Sequence, residues 1–450
     1  MSPLPSVEQA YRTIMSAFAQ ATKDRTPPTE AVPLFLAGGR VLAETIAAPS
    51  DIPNFTRSTV DGYAVRAVDV AAARASSPVT LRVVGAVAMG VAAGVNLRPG
   101  EAVAVPTGGA LPGGADAVVM VEDTSAPPEL PGFVAVHRPV AAGANVALRG
   151  EDMKAGDVIL APGHRLLPHD VGALAGVGRS WVTVYRKPRV AIISTGDEVA
   201  PPWVATGPGQ VHDMNSYSLA SAVARDGGEP VLLGIVLDNR SDLERAMRDA
   251  LARYDMLLVS GGSSVGEHDY VKDIVGEMEP GIVIYKVSIK PGKPVLFGLS
   301  GHKPVFGVPG NPVSALVAYD VFIRTVLLRL GGQAEFVAGE AAFSPGASAE
   351  PGSDGAAGGS PKAEVPVSAG GGLAGRPVLT ARLERAVVAS EDRDEFVRVT
   401  LRPGPEGIVA SPLPSRSGMI TTMVRGHGLI RVPARGRLEA GTLVQVWPWL

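Results

Sequence analysis

Between residues 187 and 331 the chain repeats one pattern: a short run of buried-type residues, a turn rich in glycine, and an amphipathic stretch. The runs are RVAIIS, PVLLGIV, MLLVS, IVIYKVSI and PVFGV, and between several of them lie the helix-patterned segments SLASAVARDG and SDLERAMRDALARY. Strands that are apolar at nearly every position need cover on both faces, and helical crossovers let successive strands point the same way. The pattern predicts an α/β unit with a parallel sheet. It also says where to look for chemistry, because ligands of open α/β sheets sit beyond the carboxyl ends of the strands.

Four of those ends carry unusual turns. RVAIIS is followed by Thr195, Gly196, Asp197 and Glu198, and MLLVS by Gly261, Gly262, Ser263, Ser264, Val265 and Gly266, with Asp269 close behind. IVIYKVSI leads into Lys290, Pro291, Gly292 and Lys293, and PVFGV into Pro309, Gly310, Asn311 and Pro312. A glycine-rich turn can aim backbone N–H groups at a phosphate or another tetrahedral oxyanion, with Ser263 or Ser264 adding hydroxyls. The same letters also fit a plain strand-to-helix turn that needs positive φ. PGNPVSA reads as a helix start with Asn311 as the cap and Pro312 in first position, a start that itself suits an anion. KPGKP sets two ammonium groups on a stiff turn, which in other settings is simply a solvated surface turn. Glu198, Asp213 and Asp269 supply hard oxygen ligands of the kind that Mg²⁺ takes together with substrate phosphate oxygens. A metal ion would reconcile these acids with an anionic ligand.

The rest of the chain changes texture twice. Val7, Ala10, Tyr11, Ile14, Met15 and Phe18 fall at helical spacing, and the apolar residues of PLFLAGGRVLAETI predict a second helix. From about 51 to 150, short runs such as VTLRVVGAV and GFVAVHRPV broken by Gly and Pro predict a small inserted β unit, after which LPHDVGALAGVG is again helical. Residues 332–376 have too few large apolar groups to offset ordering entropy and read as a flexible linker. From 377 onward VLTARLERAVV, EFVRVTLRPG, HGLIRVPA and LVQVWPW read as a closing β domain. In the inserted β unit, Asp61 beside Gly62 and Tyr63, Thr107 in a Gly and Pro turn, and Asp152 within RGEDMKAGD are further polar positions that spacing alone presents as turns.

A length of 450 residues suggests roughly three domains. The formal net charge of −3 leaves no basic excess for a nucleic-acid backbone, so an anionic ligand must be gripped locally. With no cysteine there are no disulfides, thiolate metal sites or thiol nucleophiles, and any sulfur chemistry must use the ligand's sulfur. The first residues lack the layout of a secretory signal, and Asp320 and Arg324 interrupt the longest apolar stretch, so the reading is a soluble cytoplasmic protein with no membrane segment.

Taken together, STVDGYAV, PTGGALPGGADAVVM, RGEDMKAGD, ISTGDEV, DMNSYSL, SGGSSVGEHDYV, KPGKP and VPGNPVSA follow one another in the order seen in the MoeA family of molybdopterin molybdenumtransferases, which the E domain of gephyrin also resembles. The resemblance runs through nearly the whole chain. It implies a multidomain α/β plus β subunit: a helical linker domain split between residues 1–50 and 151–186, an inserted β domain at 51–150, an α/β domain of the molybdopterin-binding type at 187–331, the linker at 332–376, and a C-terminal β-barrel at 377–450. It implies a homodimer whose active site lies in a cleft between the α/β domain of one subunit and the inserted β domain of the other. It further implies insertion of molybdate into adenylylated molybdopterin with release of AMP, assisted by Mg²⁺, with a molybdopterin adenylyltransferase as substrate donor.

Residue by residue, the resemblance points to Asp61, Thr107, Asp152, Glu198, Asp213, Asp269, Lys290 and Lys293 for the reaction, with Glu198 and Asp269 on the metal. Gly261, Gly262, Ser263, Ser264, Gly266, Pro309, Gly310, Asn311 and Ser314 would hold the pterin and nucleotide, with Arg393 and Ser417 at the cleft edge. Ser263 and the Thr59–Val60 pair depart from the commonest family letters, and neither departure removes a charge. Two rival readings share the fold: the preceding adenylylation of molybdopterin, and a scaffold without catalysis.

Overall fold

The computed structural model describes residues 4–261, 269–333, 378–414 and 418–449. The chain divides into two compact units. The first comprises Met1–Ala43, Pro162–Pro168 and Trp181–Leu450, and the second comprises Glu44–Ala161 and His169–Ser180.

The centre of the first unit is a six-stranded sheet with the order Glu229–Val236, Arg189–Thr195, Met256–Ser260, Lys303–Val308, Leu296–Ser300 and Pro280–Tyr285. The first four strands run parallel, as the alternating pattern requires. Leu296–Ser300 runs antiparallel to both neighbours, joined to Lys303–Val308 by the two residues Gly301 and His302. The sheet is therefore parallel over four strands and closed off by a hairpin, because a two-residue link can join only antiparallel neighbours.

Successive residues of the parallel strands face opposite cores. Val190, Ile192, Met256, Leu258, Phe306 and Val308 pack with Leu219 and Val223 from the helix Asn215–Arg225 and with Val313, Val317 and Phe322 further on. Ala191, Ile193, Leu257, Val259 and Val305 pack with Leu243 and Met247 of the helix Arg240–Arg253 and with Ile274 of Tyr270–Gly276. Cover on both faces explains why these strands are apolar throughout.

The amino-terminal helix Val7–Thr22 begins at a capping box in which Ser6 Oγ accepts the Gln9 N–H and Gln9 Oε1 accepts the Ser6 N–H. It buries all six of the residues whose spacing predicts it. The second helix does not form. Residues 33–46 hold one 3₁₀ turn, Leu34–Leu36, followed by bridges from Val41 to Arg165 and from Leu42 to Val184. Gly39 sits at φ +77° next to Gly38, a conformation that ends a helix after one turn whatever the apolar spacing. The preceding residues Thr29–Pro33 pair instead with Trp181–Tyr185.

A closed five-stranded barrel forms from Leu379–Leu383, Asp394–Gly404, Gly407–Pro412, Gly428–Val432 and Leu443–Pro448, with Asp394–Gly404 pairing both Gly407–Pro412 and Gly428–Val432. Closure leaves no free edge, and Ala381, Val397, Val399, Ala410, Ile430 and Val446 fill the interior. The run IVIYKVSI does not stay in one sheet. Pro280–Tyr285 joins the α/β sheet, Lys286 turns the chain at φ +65°, and Ile289–Lys290 pairs with Asp394–Glu395 of the barrel. This split sets Lys290 beside the barrel.

The second unit carries its own six-stranded sheet, ordered Ala117–Met120, Gly62–Val65, Glu101–Val105, Val79–Ala86, Phe133–Val136 and Thr124–Ser125. Val65, Ala102 and Val119 face one core while Ala64, Val103 and Val118 face another. Its extent differs from the inserted domain expected at 51–150, since Ile46–Ala47 already pairs with Val158–Leu160. Nearly all of the expected linker lies outside the described residues. No helix among the described residues is long and apolar enough to cross a membrane.

Candidate active site

The strand ends of the first unit open into two adjoining cavities. One, of about 460 Å³, is lined by Ser194, Thr195, Glu198, Asp213, Asn215, Ser260, Gly261, Pro309, Gly310, Asn311 and Gly418 among others. The other, of about 290 Å³, is lined by Lys290, Gly292, Lys293, Pro309, Asn311, Ser314 and Arg393 among others. Pro294, Pro309 and Asn311 belong to both walls.

Backbone geometry shapes the first cavity. Gly261 follows its strand at φ +107°, and a Cβ there would lie 2.1 Å from the Thr195 carbonyl oxygen, so only glycine lets the two strand ends approach. Asp213 is buried ahead of the helix Asn215–Arg225, and its Oδ1 accepts the Ser216 N–H at 3.0 Å. Ser194 and Ser216 hydroxyls meet at 2.8 Å, and Thr195 Oγ1 donates to Asp238 Oδ1 at 2.7 Å. Asn311 occupies the cap position of Pro312–Ala318 with extended backbone, yet its side chain makes no capping bond. The expected side-chain cap is absent. Asn311 lines both cavities instead.

Charge shapes the second. Lys290 Nζ lies 3.1 Å from Glu395 Oε1, a carboxylate buried under the barrel strand. Arg393 Nε donates to Asp392 at 3.1 Å. That hydrogen bond, with the Arg393 and Lys293 charges, holds the Asp392 carboxyl below its ordinary range. Lys293 is exposed, its carbonyl accepts the Val287 N–H at 3.0 Å, and its charge acts on Asp392.

Asp269 stands apart. Its Oδ1 accepts the Lys272 N–H at 3.1 Å as the cap of Tyr270–Gly276, and its Oδ2 accepts the Tyr285 hydroxyl at 3.1 Å. It is not among the residues lining either cavity, so the structure does not place it on a common wall with Lys290 and Lys293. Gly262, Ser263, Ser264, Gly266 and Ser417 lie outside the described residues. Among the described residues no three Asp, Glu or His side chains cluster as a ready-made metal site.

Residues 5–178 match the model of the MoeA N-terminal region (domain I and II), 191–329 that of the probable molybdopterin binding domain, and 380–449 that of the MoeA C-terminal region (domain IV). The molybdopterin molybdenumtransferase of Nostoc sp. is 37% identical over 337 residues, covering 74% of this chain and 76% of that protein. The chain belongs to the MoeA family. A Bacillus subtilis protein with the same name is 33% identical, covering 72% of this chain and 74% of its own length. The crystal structure of the molybdopterin biosynthesis MoeA protein from Pyrococcus horikoshii OT3 superimposes with a TM-score of 0.77 at 28% identity, covering 99% of this chain and 100% of that one.

In this MoeA-family chain the second unit holds the remaining expected positions. Asp61 Oδ1 accepts the Thr107 N–H at 2.8 Å, bringing those two together across the ends of neighbouring strands. The Asp152 N–H donates to the Ile52 carbonyl at 3.0 Å. Nearby Arg149 is spent on Asp51 at 2.7 Å. Three residues of the strand-end region escaped the sequence reading: Asn215, Ser260 and Asp238. Only the first two line the cavity. Asn215 stands inside DMNSYSL, but nothing in those letters tells that it is buried.

Proposed function

We propose that this protein inserts molybdate into adenylylated molybdopterin and releases AMP. The observation that carries the reading is the pairing, across Pro309 and Asn311, of a carboxylate-bearing cavity with a cationic one. Relatives named molybdopterin molybdenumtransferase support it.

Lys293 and Arg393 would draw molybdate, a tetrahedral dianion, into the smaller cavity, while Glu395 holds Lys290 in place beside them. The phosphates of the pterin and nucleotide would lie against Gly261, Gly310, Asn311 and Ser314. Gly262, Ser263, Ser264, Gly266 and Ser417 belong to the same proposal. Cleaving the adenylyl pyrophosphate bond gathers charge on phosphoryl oxygens, which cations fixed beforehand stabilise without reorganising. AMP departs, the incoming oxygen being that of water or of molybdate. The dithiolene of the pterin supplies the sulfur ligands, since the chain has no cysteine.

Glu198 and Asp213 fit Mg²⁺, which takes one or two carboxylates and completes its shell with phosphate oxygens and water. Bound there, the ion would neutralise charge on the substrate phosphates. Asp269, also expected on the metal, caps Tyr270–Gly276 and is not among the residues lining this cavity. A homodimer, delivery of substrate by a molybdopterin adenylyltransferase, a cytoplasmic setting, and a contribution of Asp61, Thr107 and Asp152 to the reaction complete the proposal.

The test supplies purified protein with adenylylated molybdopterin, Mg²⁺ and molybdate and measures AMP. Release that depends on molybdate is expected. Release indifferent to molybdate would reject insertion, and consumption of ATP with free molybdopterin would favour adenylylation.

A further inference from the structure

Asn215 opens the helix that follows Asp213, and only 7% of it is exposed. Its amide nitrogen donates to Ser260 Oγ at 2.7 Å and to the Gly310 carbonyl at 2.8 Å, with the Pro309 carbonyl 3.4 Å away. Backbone carbonyls only accept, so the amide cannot be turned round: its nitrogen must face the turn and its oxygen the other way. That oxygen, Oδ1, is buried and has no donor among the described residues. Asn215 lines the larger cavity together with Glu198, Asp213 and Asn311. A buried carbonyl left without a donor weakens a fold, and it calls for a donor from elsewhere.

We propose that Asn215 is a positioning and recognition residue. Its N–H groups strap the strand end at Ser260 to the Pro309–Gly310 turn, and its carbonyl accepts an N–H, of the ring or of an exocyclic amino group, from the heterocycle of the bound ligand. An acceptor of this kind tells a nitrogen heterocycle from a bare phosphate, which the cationic cavity cannot do. The identity of the heterocycle rests on the function proposed above; the strap does not.

Two readouts separate these roles. Hydrogen exchange follows the amides of residues 308–316, and calorimetry gives dissociation constants for AMP and for a free pterin. For Asn215→Ala we expect exchange in that segment to quicken at least tenfold and binding of one of the two ligands to weaken at least tenfold. A loss confined to AMP places the donor on the nucleotide, and a loss confined to the pterin places it there. Ser260→Ala cuts the strap at one point and keeps Oδ1, so exchange should quicken about threefold, and its loss of binding, measured beside that of Asn215→Ala, gives the part owed to the strap and the cavity wall. Should Asn215→Ala fail to fold, Asn215→Ser, which keeps a small polar group, takes its place in both readouts. Unchanged exchange overturns the strap, and ligand constants within twofold of the wild type overturn recognition. If the wild type shows no molybdate-dependent AMP release, the proposed reaction falls while these two readouts still decide the role of Asn215.

Discussion

The two cavities share Pro294, Pro309 and Asn311 yet carry opposite chemistry. The larger is built by parallel strand ends, where carboxylates, a buried amide and glycine-enforced close approach set its walls. The smaller lies where the run 280–290 leaves the α/β sheet for the barrel, and its walls bear Lys290, Lys293 and Arg393. The difference teaches that one fold can set carboxylates and cations a few residues apart. It does so by assigning them to different elements rather than mixing them in one loop.

The sharpest way to break this comparison is to neutralise one side at a time. Lys293→Ala should lower molybdate-dependent AMP release by about 10²–10³-fold, the usual cost of removing one charge-stabilising group aimed at a reacting centre. The loss should be partly offset by raising molybdate and unaffected by raising Mg²⁺. Glu198→Gln should show the reverse dependence. Steady-state titrations of both ions in each variant would measure it, and equal responses would mean that the two cavities act as one.

A control outside both cavities sharpens it further. Asp226 is buried, with Arg225 at 2.6 Å and Arg324 at 2.9 Å, and accepts a hydrogen bond from the Tyr319 hydroxyl. Burial alone would raise its pKa, but the Arg225 hydrogen bond and both guanidinium charges outweigh this and hold it below the ordinary carboxylate value. Asp226→Asn removes the carboxylate that Arg225 and Arg324 share, although Asp320 still pairs with Arg225 at 3.3 Å, and should cost about 3 kcal/mol of stability while sparing the ion dependences of any remaining activity. Because the folded pKa is depressed, the stabilisation is complete above the unfolded value near ~3.9 and is lost as pH falls through the folded one. Denaturant midpoints of variant and wild type should therefore differ at pH 7 and converge as the pH falls through the depressed folded-state value.

The smallest effect concerns Glu8, which pairs with Arg431 and so links the first helix to the barrel. Burial opposes ionisation here as well, and the Arg431 charge and hydrogen bond overcome it, so the Glu8 carboxyl too sits below its ordinary range. Glu8→Gln should cost about 0.5 kcal/mol, less at high salt, because the pair is partly solvated and Asp394 also holds Arg431. Thermal melts at low and high ionic strength would record it.

The sequence by itself determined which residues could be buried and which chemistry was on hand. The six apolar positions of Val7–Thr22, the runs RVAIIS and MLLVS, and the Lys, Asp and Glu residues at strand ends are properties of local spacing, and spacing is written in the letters. Only the tertiary structure decided how those groups are spent. It broke 33–46 at Gly38 and Gly39, divided IVIYKVSI between two sheets at Lys286, committed Asp269 to a helix cap and Tyr285, and buried Asn215 with one oxygen unanswered. Each outcome depends on a partner distant in sequence or on a backbone conformation that competing contacts select, and local spacing records neither.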